Sequence, residues 1–210
     1  MTKTDADGTL TRAAVRTQPT DEELIARFQG GDVYAYEQLV RRYKEPLLNF
    51  VFRFIGDLSE AEDIVQDTLY RVYKNKHYYK EVAKFSTWIY TIASNLAKTE
   101  LRRRRRRRFF SINKEAPNEK EVELPDLKTD PEVEANTIVT EKIIQKAIGK
   151  LPQKFRQVIV LRDIQGFSYE EISSIIKVPL GTVKSRVNRA RLRLQDDLGF
   201  LLDDIDDIAN

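Results

Sequence analysis

The stretch Ser168 to Arg193, SYEEISSIIKVPLGTVKSRVNRARLR, decides the fold of the C-terminal part of the chain. Ser168 followed three residues later by Glu171 is a capping-box signature, and Ile172, Ile175 and Ile176 then share one helical face. Val178 to Gly181 read as a turn, and Thr182 starts a second helix with Val183, Val187, Ala190 and Leu194 inward. Two short helices meeting at a tight turn are a helix-turn-helix. The outward face of the second collects Lys184, Ser185, Arg186, Asn188 and Arg189, and no acid lies between Lys177 and Arg193. In a DNA groove, Arg or Lys donates to guanine O6 and N7 and Asn pairs with adenine, while neighbouring side chains hold phosphates. Sequence readout is therefore placed on Lys184, Ser185, Asn188 and Arg189. The competing reading is a solvated charged face on a packed hairpin.

Upstream, helical spacing continues. Ile138, Val139, Ile143, Ile144, Ala147 and Ile148 form one stripe; after Leu151-Pro152 a helix bears Phe155, Val158, Ile159 and Leu161, with Gly166 at its end. Residues 111–135 hold three prolines, eight acids and three lysines with little apolar periodicity, which predicts a linker. Before it, Thr20 with Glu23 predicts a capped helix through Leu24, Ile25 and Phe28 to Gly30-Gly31. From Asp32 to Ile55 apolar residues recur every three or four positions, with Pro46 expected to kink or divide the helix and Gly56 to close it. Ser59 with Glu62 is read as a second capping box, opening a helix striped by Ile64, Val65, Leu69, Val72 and Tyr73. After a Tyr-rich stretch from Asn75 to Lys84, a fourth helix is expected from about Ser86. No strand-like alternation interrupts this pattern. The expected fold is all-α: two small helical domains joined by a flexible linker, the C-terminal one containing the helix-turn-helix. The expected divisions are a disordered leader at 1–19, a domain at 20–110, the acidic linker at 111–135, a domain at 136–198 and an acidic tail at 199–210.

The inventory excludes several chemistries. With no cysteine there is no disulfide framework, thiolate metal site or cysteine nucleophile, and the single histidine, His77, rules out histidine clusters and Ser/His/Asp triads. An intracellular location is permitted. No run of eighteen apolar residues occurs, and the first twenty residues have no apolar core. The net charge of +3 conceals its distribution: Lys98 to Arg108 carries eight positive side chains against Glu100 alone. Two basic blocks about eighty residues apart suggest a polyanion touched twice.

Two further constellations stand out. The helix from Ser86 to Arg108 and the loop before it combine aromatic rings, on which unpaired bases stack, with Ser94, Asn95 and Lys98 for base edges and arginines for phosphates. Trp88, at helical spacing with Ile89 and Ile92, fits a core as well as a stacking platform, and Tyr78, Tyr79 and Phe85 are similarly two-sided. About half of the arginine run is expected to touch phosphate, since seven consecutive contacts would require the DNA to follow every face of a helix. On the preceding helix Asp63, Gln66, Asp67 and Arg71 share one face, which suits a partner helix or plain solvent.

The order of these parts resembles the extracytoplasmic-function (ECF) group of bacterial RNA polymerase sigma factors over about residues 20 to 198. The resemblance rests on Asp63-Ile-Val-Gln-Asp-Thr-Leu69, Phe85-Ser-Thr-Trp-Ile-Tyr-Thr-Ile-Ala-Ser-Asn-Leu-Ala97, Leu151-Pro-Gln-Lys-Phe-Arg156 and Pro179-Leu-Gly-Thr-Val-Lys-Ser-Arg186. It implies that Asp63, Gln66 and Asp67 bind the clamp helices of the largest polymerase subunit, with the flap as a further contact. It implies −10 DNA binding by Tyr78, Tyr79, Phe85, Trp88, Asn95, Lys98, Arg102 and Arg103, with Asn95 in the pocket that captures a flipped base. Reading of the −35 element falls to Thr182, Lys184, Ser185, Arg186, Asn188 and Arg189, and the linker would thread toward the RNA exit path. The resemblance also implies a cytoplasmic protein with an anti-sigma partner, often membrane-bound. It implies no catalytic residue, metal, cofactor or small-molecule substrate, the bond-making chemistry belonging to the polymerase.

The chain departs from the family pattern at Lys177, where glycine usually ends the first helix of the helix-turn-helix, at Ser173, where alanine is usual, in its long arginine run, and in its tail. Asp196, Asp197, Asp203, Asp204, Asp206 and Asp207 suggest an added regulatory segment there. Two alternatives stay open. A stand-alone DNA-binding regulator would need a dimer face, and no heptad seam is visible. A nucleic-acid enzyme would need a third metal ligand beside Asp63 and Asp67 or a phosphate-binding glycine loop.

Overall fold

The computed structural model describes residues 18–110 and 131–208, with side chains described over 18–107 and 140–199. Every described element is helical: α1 (Asp21–Gln29), α2 (Val33–Ile55), α3 (Leu58–Lys74), a 3-10 turn (Lys76–Tyr78), α4 (Phe85–Phe110), α5 (Pro131–Lys150), α6 (Gln153–Ile159), a π-helical turn (Val160–Ile164), α7 (Tyr169–Ile176) and α8 (Leu180–Ile208). The expected leader and most of the expected linker lie outside the described residues, although α5 already begins at Pro131.

Local chemistry sets most helix ends. Thr20 and Glu23 form the reciprocal capping box, Glu23 N–H donating to Thr20 Oγ1 at 3.2 Å and Thr20 N–H to Glu23 Oε2 at 2.8 Å. Gly56 closes α2 in the left-handed region at φ 78°. The expected break at Pro46 does not occur, and α2 runs unbroken for 23 residues. Pro46 lies on the exposed face, where the carbonyl deprived of its donor can be hydrated. The box expected at Ser59 and Glu62 is also corrected: Asp57 caps α3, accepting from Glu60 N–H at 3.0 Å. An aspartate directly before the helix satisfies the same free amides two residues sooner.

Helices α1 to α4 bury Leu24, Phe28, Leu39, Leu47, Phe50, Phe54, Val65 and Ile89, while α5 to α8 bury Leu151, Phe155, Val158, Leu161, Ile172, Ile175, Val183 and Val187. The two halves do not stand apart. Their apolar interiors are continuous, and α4 packs along α7. The Tyr90 ring meets Phe167 edge-on with centroids 4.7 Å apart, and its hydroxyl donates to Gln165 Oε1 at 2.6 Å. Buried Gln157 donates to buried Ser94. Arg53 pairs with Glu141 at 2.6 Å and Lys84 with Glu171 at 2.9 Å. Arg156 donates to Phe54 O at 3.1 Å, to Leu151 O at 3.1 Å and to Gly149 O. Phe54 lies at the C-terminal end of α2 and Gly149 in the last turn of α5, so one guanidinium caps two helices from different halves.

Candidate nucleic-acid interface

The helix-turn-helix forms with its capping box in place: Glu171 N–H donates to Ser168 Oγ at 3.1 Å, and Ser168 N–H to Glu171 Oε2 at 2.8 Å. The unusual Lys177 takes the left-handed conformation itself, at φ 55° and ψ 54°. Ser173, the second departure, secures the turn by donating from Oγ to Val178 O at 2.6 Å. The turn is shorter than expected, because α8 begins at Leu180 and takes Gly181 and Thr182 into its first turn. Val183, Val187 and Ala190 fill the core, so Lys184, Ser185, Asn188 and Arg189 stand exposed and Arg186 and Thr182 are half-buried. Lys184, Arg186 and Arg189 have no ion-pair partner among the described residues. Arg191, on another face, is engaged by Asp163 at 2.6 Å.

Helix α4 presents a second basic face. Asn95 is exposed, as is Thr99 one turn on, whereas Ser94 faces inward to Gln157 and cannot serve a base edge in this arrangement. Lys98 is half-buried; burial foremost, then Arg102 and Arg186, depresses its ammonium below the ordinary lysine range. The arginine run divides by helical phase. Arg103 and Arg107 bind Glu100 at 3.0 and 3.2 Å, and Arg104 turns to Glu60 at 2.6 Å and to Ile55 O at 3.1 Å. Arg102, Arg105 and Arg106 are exposed without acidic partners among the described residues, and with Thr99 they line a cleft of about 450 Å³.

The aromatic rings sort differently from expectation. Tyr79 is 7% exposed and Phe85 fully buried, packed 5.8 Å apart, and the half-buried Trp88 leans on both. Tyr79 and Phe85 are therefore corrected from base-stacking residues to supports: Phe85 N–H donates to Glu22 Oε1 at 3.0 Å, and Tyr79 Oη donates to Ala83 O at 2.9 Å. Burial is the reason, since a ring packed inside has no free face to offer. Tyr78, 79% exposed, remains available, and the loop adds Val82 at 90% exposure. Sequence reasoning expected about half of the arginine run on phosphate without saying which members, and it did not single out Thr99, Arg105 and Arg106, which the structure leaves exposed together. Their spacing of four from Asn95 and of seven and eight from Lys98 would have identified them.

On α3, Asp63 and Gln66 are exposed and Asp67 is half-buried, pairing with Arg71 at 3.3 Å. The same face continues through exposed Tyr70 and Tyr73. No group of carboxylates or histidines fit to hold a metal ion occurs among the described residues, and no described helix is long and apolar enough to cross a membrane.

Family comparisons agree with this geometry. The Sigma-70 region 2 family model matches residues 39–107, and the Sigma-70, region 4 model matches residues 141–194. The chain is 34% identical to the RNA polymerase sigma-H factor of Pseudomonas aeruginosa over 189 residues, 89% of this chain and 97% of that protein. It is 34% identical to the ECF RNA polymerase sigma factor SigW of Bacillus subtilis, across 83% of this chain and 94% of the relative. Among solved structures, the sigma factor RpoE in complex with the anti-sigma factor NepR from Bartonella quintana matches with a TM-score of 0.65 at 28% identity, over 78% of this chain and 96% of that one. With both family regions in order on an all-helical frame, the chain belongs to the ECF group of RNA polymerase sigma factors, and it directs transcription initiation.

Proposed function

We propose that the two basic faces divide promoter recognition between them. Asn95 captures a base of the −10 element, with Tyr78 and Trp88 beside it and Lys98 and Arg102 on the backbone. Lys184, Ser185, Asn188 and Arg189 read the −35 element, flanked by Thr182 and Arg186 on phosphates. The observation that carries this reading is the pair of acid-free faces on α4 and α8, each offering an exposed asparagine among cations without ionic partners among the described residues. Asparagine supplies a paired donor and acceptor for adenine, and the cations supply affinity without sequence preference. Arg103, engaged by Glu100, contributes less than its neighbours.

Asp63, Gln66 and Asp67 dock the protein on the clamp helices of core polymerase, and the C-terminal half meets the flap. The polymerase performs all bond-making chemistry, so the chain acts as a non-enzymatic cytoplasmic subunit needing no metal, cofactor or small-molecule substrate. The RpoE–NepR complex supports an inhibitory anti-sigma partner as well. Residues 20–110 and 136–198 form the two working domains.

Run-off transcription from genomic promoter fragments with core polymerase tests the assignment. Protein-dependent, promoter-specific transcripts are expected, reduced about 5- to 100-fold by Asn95→Ala and by Lys184→Ala, since one base contact contributes about 1–3 kcal/mol. Full activity in both variants would remove these residues from recognition. Specific duplex binding by the protein alone, without core-dependent transcripts, would favour a stand-alone regulator.

A further inference from the structure

The exposed Tyr78 ends a 3-10 turn, Lys76–Tyr78, that is only three residues long and has no side-chain cap of its own among the described residues. An isolated turn of that length is marginal without outside support. The support comes from α1. Gln29 Nε2 donates to Lys76 O at 2.7 Å and to Tyr79 O at 3.1 Å, the carbonyls on either side of His77 and Tyr78. With a carbonyl in each direction the amide nitrogen has to face them, and its two hydrogens serve one each. Lys76 returns the contact: its ammonium donates to Phe28 O at 2.8 Å, in the last turn of α1, and lies 4.3 Å from the centroid of the Phe28 ring. A cation suits that helix end and that ring face. Seven residues before Gln29, two helical turns away on the same face, Glu22 accepts from Phe85 N–H at 3.0 Å where α4 begins. Helix α1 therefore braces the loop from Asn75 to Lys84 at both ends. It is itself fixed, with Leu24, Ile25 and Phe28 buried and Asp21 paired to Arg42 at 2.7 Å, and it precedes residues 39–107 matched by the region 2 family model.

We propose that Gln29, with Lys76 as its partner, is a positioning residue for −10 recognition: it fixes the main chain on both sides of Tyr78, so that the exposed ring is presented to an unpaired base in one orientation. The inference deepens the assignment of Tyr78 made above and rests on it. A loop that has to become ordered at the moment of binding lowers the apparent affinity by the fraction of molecules already in the competent arrangement. The buried Tyr79 ring, packed 5.4 Å from Trp88, anchors one side of Tyr78, whereas Gln29 reaches both. Both amide hydrogens of Gln29 are used within the protein, so its effect on DNA is exerted through the loop and not by contact.

Two measurements on the full chain test this: residue-resolved amide hydrogen exchange of the free protein, and equilibrium DNA binding by core polymerase loaded with it. The probe is a promoter fragment from the run-off assay, opened in advance by mismatches across its −10 element. Gln29→Met keeps the length of the side chain and removes its donor. The amides of Tyr78 and Tyr79, which donate to Asn75 O at 2.9 Å and Lys76 O at 3.2 Å, should exchange at least tenfold faster in this variant, those in the middle of α4 much less so. Affinity for the opened promoter should fall about tenfold, the loss of two hydrogen bonds, with binding to core unchanged. Lys76→Met should act in the same direction. In a Tyr78→Ala background Gln29→Met should have no further effect, a non-additivity that a merely structural role does not produce. Unchanged exchange at Tyr78 and Tyr79 in both variants would remove the latch. Faster exchange with unchanged promoter affinity, an equal loss with and without Tyr78, or a parallel loss of core binding would overturn the positioning role. If Tyr78→Ala alone binds as well as the parent, the assignment of Tyr78 fails and the proposal falls with it, while the exchange data still report on the latch, so the two failures are told apart.

Discussion

Replacing Arg156 with methionine should loosen the joint between the two halves. The methionine keeps most of the aliphatic stem but removes donors to Phe54 O, Leu151 O and Gly149 O at the ends of α2 and α5. A hydrogen bond from a charged donor is worth about 1.5–3 kcal/mol, and a buried carbonyl left unpaired costs about 1–3 kcal/mol. Two opposing effects reduce the sum. Burial foremost, and then the neighbouring Arg104, work against the Arg156 charge, and its Nε is buried without a partner. The net loss expected is about 3 kcal/mol, which for a chain of this length lowers the melting temperature by about 6–12 °C. Thermal unfolding followed by far-UV circular dichroism measures it. Since α2 and α5 belong to different halves, the variant should also broaden or split a transition that is single in the parent. Arg156→Lys, which keeps the charge but not the fork, should fall between the two. A change below about 0.5 kcal/mol in Arg156→Met, with the transition still single, would refute the argument that this side chain caps both helices.

The left-handed Lys177 leads to a second expectation: Lys177→Gly removes the Cβ penalty at φ 55° and should stabilise the protein by about 0.5–1 kcal/mol in urea unfolding, after the greater freedom of glycine in the unfolded chain is subtracted. A destabilised variant would contradict the strain. A third concerns acid. Burial raises the Glu171 pKa, but hydrogen bonds from Lys84 and Ser168 outweigh it and hold the carboxyl below its ordinary value. A depressed carboxylate contributes stability that is present above its unfolded pKa and lost as pH falls through the folded one, so the contribution should fade below about pH 4.5. Glu171→Gln keeps the capping box but not the charge; urea midpoints measured from pH 6 to pH 3 should fall less steeply in the variant, and parallel profiles would exclude the effect.

Much of this was legible in the chain because the signals are local. The capping boxes at Thr20 and Ser168 and the stripes through Ile172 and Val183 each involve residues within one or two turns, so spacing alone places them. The Asp57 cap was obscured because Ser59 offered an equally good pattern two residues later. Tyr79 and Phe85 were illegible for a different reason: a ring beside polar residues has the same sequence signature whether it stacks on a base or fills a core, and only the approach of Glu22 and Trp88 decides. The same holds for the joint between the halves. Ser94 and Gln157 are 63 residues apart and Tyr90 and Gln165 are 75 apart, and no periodicity connects them.

Helix α8 runs from Leu180 to Ile208 without interruption, so the exposed face of Lys184, Ser185, Asn188 and Arg189 and the aspartate-rich end share one rod of 29 residues, about 43 Å long at 1.5 Å per residue. Its near half is seated in the core by Val183, Val187 and Ala190 and tethered by Arg191 to Asp163. Such a rod behaves as a lever with its fulcrum off-centre. A tilt of about 10° imposed on the acidic arm sweeps its tip through roughly 4 Å but moves the shorter arm, which carries Lys184, by less than half as much. A small displacement at the far end of α8 is therefore scaled down, not lost, at the face that carries Lys184 and Asn188.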